Sequence, residues 1–345
     1  SNGEVLWLLD RYRRFTGQPT PEAWHDPIER AAHWIDRKCL SETPQTPHAG
    51  LLPAGFSAEH LGPNDYYYWD DFWSVAGLCA AAAMLEDYDG DAAARCLRSA
   101  QRLESAIDRS LESCFERLGR PAMPAAPYRR LDAGAVGSIV AGYPLQLQAA
   151  RDPRLLDCAD YLLDECFVGG AFFQDMIHSG QNVYLTLELA QVLLRAGDPR
   201  YLELMDAVAD LASDTGQWPE AIHPQTGGGC MGDGHHVWAS AEWVLMLRSC
   251  FLREEGDALI LASGIPERWL QSGEVLSFGP ALTVFGSVSV RLEPAGEDRF
   301  ALTWQADWHA APPRIVAALP GYRNVETGSG RILLEATAEN AGEAE

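Results

Sequence analysis

The sequence predicts a mainly α chain, a ring of helical hairpins followed by a small antiparallel β-domain at the C-terminus. Apolar residues recur three and four positions apart over most of residues 1–256, the spacing of one helix face. The breaks between these runs alternate between tight and long. After residue 257 the helical spacing gives way to alternation with β-branched residues, bounded by Gly and Pro. The expected domains are therefore 1–256, helical, and 257–345, sandwich-like.

In chain order, helical spacing covers residues 4–16, 21–38, 70–86, 90–118, 133–149, 153–166, 181–196, 199–213 and 235–252. The tight breaks, "QAARDPR" and "RAGDPR", are helix-to-helix turns of a few residues. The long breaks are rich in aromatic and polar residues: "SETPQTPHAGLLPAGFSAEHLGPNDYYYWDD", "GRPAMPAAPYRRLDAG", "GGAFFQDMIHSGQN" and "GQWPEAIHPQTGGGCMGDGHH". Hairpins with short turns at one end and long loops at the other gather those loops into one bowl when packed as a ring. Beyond the helices, "DALILASGIPERWL", "EVLSFGPALTVFGSVSVRLEP", "RFALTWQADW" and "RILLEATAE" read as strands, and "AENAGEAE" as a frayed end.

Composition excludes some functions. The chain of 345 residues carries a formal net charge of -23, and Lys38 is its single lysine. No basic stripe is available to displace counterions from phosphates, which argues against a nucleic-acid partner. No apolar run approaches a membrane span, and no signal peptide is visible. The eight cysteines (Cys39, Cys79, Cys96, Cys114, Cys158, Cys166, Cys230 and Cys250) are scattered and read mostly as small buried hydrophobes. Reduced thiols fit a cytoplasmic setting. Oligomeric state is not legible, and no pattern calls for a cofactor.

The long loops hold the chemistry. In "NDYYYWDDFWSVAGL", Trp69, Asp70, Asp71 and Trp73 stand where a loop becomes a helix. One aspartate there would serve as a helix cap. Two, bracketed by Trp and preceded by Tyr66, Tyr67 and Tyr68, exceed a cap's needs and suit a sugar, whose C–H faces stack on rings while its hydroxyls seek acceptors. In "TGQWPEAIHPQTGGGCMGDGHHVWASAEW", Trp218 and Pro219 lead to Glu220, and His223, His236 and Trp238 follow. The acidic ligands that a metal would need beside His223, His235 and His236 lack zinc spacing, so no metal site is assigned. Glu242, inside the next helix, reads as structural. "FFQDMIHSGQNVYLTLELA" offers Asp175, His178 and Asn182 at a helix mouth, and "PAAPYRRLDAG" offers Tyr128 beside Arg129, Arg130 and Asp132.

This layout resembles the six-hairpin α/α toroid of inverting glycoside hydrolases, with glucoamylases and trehalases as the comparison. "YYYWDDFW" resembles their acid-bearing runs, and "GQWPEAIHPQTGGG" with "HHVWASAEW" resembles the glucoamylase base segment before the last inner helix. The resemblance implies Asp70 as general acid with Asp71 beside it, and Glu220 as general base. It implies Tyr68, Trp69, Trp73, Tyr128, Asp175, His178, Asn182, Trp218, His223, His236 and Trp238 as sugar contacts. A closed ring needs more helices than are counted, so about three on the N-terminal side are expected to be missing or to lie outside this chain. The C-terminal β-domain is closer to sugar phosphorylases and rhamnosidases, and Asp stands where glucoamylases have Glu. The implied activity is inverting hydrolysis of an oligosaccharide or glycoside, with two carboxylates about 6.5–9.5 Å apart. A sugar phosphorylase, which would dispense with Glu220, and a non-catalytic carbohydrate-binding protein are the alternatives.

Overall fold

A computed structural model describes residues 1–57, 62–175, 180–232, 234–296 and 299–337. The chain divides into two compact units, Ser1–Tyr12 with Pro19–Glu242, and Arg13–Gln18 with Trp243–Glu345.

The helices are α1 (Asn2–Thr16), α2 (His25–Lys38), α3 (Tyr68–Leu85), α4 (Gly90–Leu118), α5 (Pro153–Glu165), α6 (Val183–Ala196), α7 (Tyr201–Asp210), α8 (Val237–Phe251) and α9 (Glu267–Gln271). Their ends follow from local chemistry. Asp89 caps α4 by accepting from the Asp91 and Ala92 amides, and Gly119 closes it in the left-handed region at φ 71°. Asp152 caps α5 with Pro153 in its first turn, and Asn182 and Gly197 bracket α6. Every residue of α6 is buried, as are most of α3, whereas α4 is amphipathic. The two buried helices both pack on a short 3-10 helix, Ala133–Ala141, which α5 also contacts.

That 3-10 helix corrects the expected helix over 133–149. Gly134, Gly137 and Gly142 weaken helical propensity, and Pro144 lacks the amide a longer helix would need and bars its neighbour from helical geometry. The chain instead turns, and Arg195 of α6 holds the turn by donating to the carbonyls of Gly142 and Gln148.

Short strands decorate the loops: β1 (Phe167–Val168) pairs with β2 (Ala171–Phe172), and β3 (Ala221–Ile222) with β4 (Gly229–Met231). The second unit carries β5 (Leu252–Glu255), β6 (Ala258–Leu261), β7 (Leu276–Thr283), β8 (Gly286–Pro294), β9 (Arg299–Trp308), β10 (Arg314–Ala317), β11 (Val325–Glu326) and β12 (Arg331–Glu335). One sheet, in the order β12-β9-β8-β7, is antiparallel, with Val288, Val290 and Leu292 of β8 buried at alternate positions. The other, in the order β11-β10-β6-β5, departs from the all-antiparallel expectation, because β10 runs parallel to β6. The long connection from β6 to β10 supplies the crossover that a parallel pair requires. All eight cysteines are free, and Cys79 and Cys230 are exposed rather than buried.

Helix α1 rests on α3 through glycine. A Cβ at Gly77 would stand 2.5 Å from the Gly3 Cα, and one at Gly3 would stand 2.3 Å from the Trp73 carbonyl oxygen. Helix propensity alone would make Gly77→Ala stabilising by about 1 kcal/mol. This contact reverses the sign: urea denaturation should show Gly77→Ala destabilised by about 1–3 kcal/mol. A gain in stability would contradict the packing.

Candidate functional site

The long loops knit together in two pairs. At the start of α3, the Tyr68 amide donates to the Ala125 carbonyl at 3.1 Å, the Arg129 guanidinium reaches the Tyr67 hydroxyl at 3.4 Å, and His48 Nδ1 lies 2.6 Å from the Tyr128 hydroxyl. His48 also stacks on Tyr66, with ring centroids 4.2 Å apart. At the starts of α6 and α8, Gln181 and Ile222 exchange backbone hydrogen bonds of 2.8 and 2.9 Å, and the His236 amide donates to the Trp218 carbonyl at 2.9 Å. The segments carrying Asn182, Glu220 and Trp238 are thereby joined.

The two aspartates of α3 have different fates. Asp71 is fully buried; its Oδ1 accepts the Leu52 amide at 2.9 Å, and its Oδ2 has no partner among the described residues. Burial pushes its carboxyl well above the usual range, against the pull of the Leu52 amide. Asp71 therefore pins a loop to the first turn of α3, which corrects its reading as a catalytic neighbour: a sealed carboxyl cannot meet a substrate. Asp70 is half-buried. Burial, helped by the Glu4 carboxylate, pushes it up to about 6, while the N-terminal ammonium pulls the other way.

The tryptophans beside it are buried and edge-packed. Trp69 and Trp73 have centroids 5.7 Å apart, Trp7 packs 5.3 Å from Trp73, and the indole nitrogens of Trp69 and Trp73 lack partners among the described residues. Buried, unpartnered indole donors therefore lie on the helix turn that carries Asp70.

Several other expected contacts are engaged within the protein. Tyr68 is fully buried, its hydroxyl 2.6 Å from Ser110 Oγ, and Trp218 is buried with its indole donating to the Val208 carbonyl at 2.9 Å. Both are core anchors rather than sugar contacts, because the side-chain polar atoms are satisfied inside the protein. Asn182 Oδ1 accepts the Leu185 amide at 3.1 Å as the α6 cap, and Asn182 is wholly buried, although its Nδ2 has no partner among the described residues. His223 Nδ1 accepts the Gln225 amide at 3.2 Å within a turn, and His236 Nδ1 accepts the Ala239 amide at 3.4 Å at the start of α8. Tyr128 is 51 % exposed, and Asp175 is exposed. His178 lies outside the described residues.

Glu220 is half-buried. Gly232, at φ +69°, lets the glycine-rich loop fold onto it: a Cβ there would stand 2.9 Å from the Glu220 Cβ. Trp238 stacks on Tyr184 with centroids 4.3 Å apart and planes at 24°, and His236 sits 5.2 Å from the same ring. Tyr184 was not singled out from sequence, although its place two residues after the Asn182 cap put it at a helix mouth. Glu242, read as structural, is buried; burial pushes it up to about 7 against hydrogen bonds from Tyr143 and Trp238. Among the described residues no cluster of three His, Cys, Asp or Glu could hold a metal ion, and no helix is long and apolar enough to cross a membrane.

No protein-family model matches the chain, and the comparison with curated proteins yields no match. Solved structures do match. A glycosidase variant superposes with a TM-score of 0.55 at 16 % identity over 72 % of this chain and 65 % of its own, and the wild-type glycosidase gives 0.52 at 17 % over the same shares. A bacterial glucoamylase complexed with acarbose gives 0.50 at 16 %, over 72 % of this chain and 40 % of its own. The chain thus spans slightly under two thirds of the glycosidase it matches. Its fold is that of a glucoamylase-like glycoside hydrolase, mainly helical with small sheets.

Folded Asp70 binds its proton near pH 6 against an ordinary value near 3.8. Between those values the folded chain holds the extra proton, so this residue's contribution to stability falls as pH rises through the window. Asp70→Asn should leave the melting temperature unchanged near pH 4 and raise it at pH 8, by an amount equivalent to roughly 1–3 kcal/mol. Equal differences at both pH values would show that Asp70 titrates normally.

Proposed function

We propose that the chain is the catalytic part of a glycoside hydrolase that cleaves a glycosidic bond of an oligosaccharide or glycoside with inversion. The helical portion, expected over 1–256, would form most of an α/α toroid, with 257–345 as an accessory β-sandwich-like domain. The observation that carries this reading is Asp70: a half-buried carboxyl at a helix start, between two tryptophans, that keeps its proton up to about pH 6. A glucoamylase-like fold supports it.

In this mechanism Asp70 donates its proton to the glycosidic oxygen as the C–O bond to the anomeric carbon breaks. Glu220 takes a proton from the water that attacks the opposite face of that carbon, so the products are a hemiacetal sugar and an alcohol. The helix N-terminus favours the Asp70 anion once the proton has left. Trp69 and Trp73 shield the acid from bulk water, which holds the proton in place until a leaving group accepts it. Trp238, on its Tyr184 backing, offers a ring to a sugar face, and His236 and Tyr128 would contact hydroxyls.

On a panel of glucosides, maltosides and other aryl glycosides, Asp70→Asn and Glu220→Gln should each lower kcat by about 10²–10⁴ while the proteins stay folded. Near-normal turnover by folded Glu220→Gln in the presence of phosphate alone would favour a phosphorylase, and binding without turnover by the unaltered protein would favour a non-catalytic role.

A further inference from the structure

Glu242 sits one turn beyond Trp238 on α8, 7 % exposed. Its Oε2 accepts the Tyr143 hydroxyl at 3.1 Å, and its carboxyl also accepts the Trp238 indole N–H. Tyr143 follows the 3-10 helix, and Tyr184, on which Trp238 stacks, belongs to the first turn of α6. The Glu242 carboxyl thus ties α8 to the segment after the 3-10 helix, and the Trp238 ring carries the connection on to α6.

Burying a carboxyl is costly unless its oxygens are hydrogen-bonded, and here two donors meet it. Trp238 needs an anchor: it opens α8 after a loop containing five glycines between residues 227 and 234, its neighbour Val237 is 79 % exposed, and Trp238 as a residue is 36 % exposed. Tyr184 backs one face of the indole, but a stack alone permits sliding within the plane. A hydrogen bond from the indole nitrogen to a fixed acceptor removes that freedom.

We infer that Glu242 is a positioning residue that locks Trp238 into a rigid wall on which a sugar ring stacks. The stacked sugar rests on the carbohydrate reading above; the locking does not. Glu242 is itself 7 % exposed, which separates it from the catalytic pair. The predicted consequence is selective. Loss of the anchor should weaken sugar binding, felt in KM, with kcat affected far less, because the reacting atoms lie elsewhere.

The test uses Glu242→Met, similar in length and without an acceptor, Glu242→Leu as a second apolar variant, and Glu242→Gln, whose amide oxygen still accepts. The near-ultraviolet circular dichroism lost in Trp238→Phe defines the Trp238 signature. Glu242→Met or Glu242→Leu should lose most of that signature, and Glu242→Gln should recover most of it. Acarbose affinity by calorimetry should fall about tenfold in the apolar variants, with partial recovery in Glu242→Gln and no added loss when Glu242→Met is combined with Trp238→Phe. Retention of the signature in a folded apolar variant, equal losses in Glu242→Met and Glu242→Gln, or a fall in kcat at constant KM would each overturn the inference. If the unaltered protein binds no acarbose or any other glycoside probe, the carbohydrate reading fails, and the dichroism still decides the locking.

Discussion

The first turn of α3 must accommodate two adjacent carboxyls where there is room to ionise neither freely. Asp71 points inward and takes the Leu52 amide, and that one bond fastens the middle of the preceding loop region against the largely buried helix α3. Because Asp71 is sealed, burial pushes its carboxyl well above the usual range, and the helix terminus is left with a single carboxyl that can respond to its surroundings. Asp70 is that carboxyl. Burial, helped by the Glu4 carboxylate, raises its affinity for a proton, which is what a proton donor requires.

Around this turn the loops act as a frame rather than as loose decoration. One pair is stitched by Tyr68, Ala125, Arg129 and Tyr67, and the other by Gln181, Ile222, His236 and Trp218. Buried polar atoms in both frames are mostly matched, so the unmatched ones on Trp69, Trp73 and Asn182 are informative. The wholly buried α6 is the common support: its first turn supplies Tyr184 to back Trp238, and its last turn supplies Arg195 to hold the turn after the 3-10 helix. Rigidity at both ends of one helix thus serves the loops that carry the polar residues.

Much of this was legible in sequence, for physical reasons that vary by element. The span of α4 was read to the residue because an Asp cap, a left-handed Gly and one continuous amphipathic face all agree. The helix expected over 133–149 was misread because alanine and valine spacing outweighed the glycines, and tertiary contact from α3, α5 and α6 then selected a tighter, shorter helix. The aromatic and acidic composition of the long loops marked the right segments, but composition does not say which way a side chain turns. Tyr68 and Trp218 look like sugar-facing rings in sequence and are anchors in the fold, since each finds an internal partner only after distant segments meet. Glu242 and Tyr143 are 99 residues apart, and nothing local to either announces the other.

At the centre of this account is a proton-donating carboxyl and a separate water-activating carboxyl acting from opposite faces of one sugar. The stereochemistry of the bond broken reports on that arrangement directly. Proton NMR of the first-formed product, taken before mutarotation, should show an anomeric configuration opposite to that of the substrate. A product that retains the substrate's configuration would contradict the assignment of Asp70 and Glu220 to opposite sides of an attacking water.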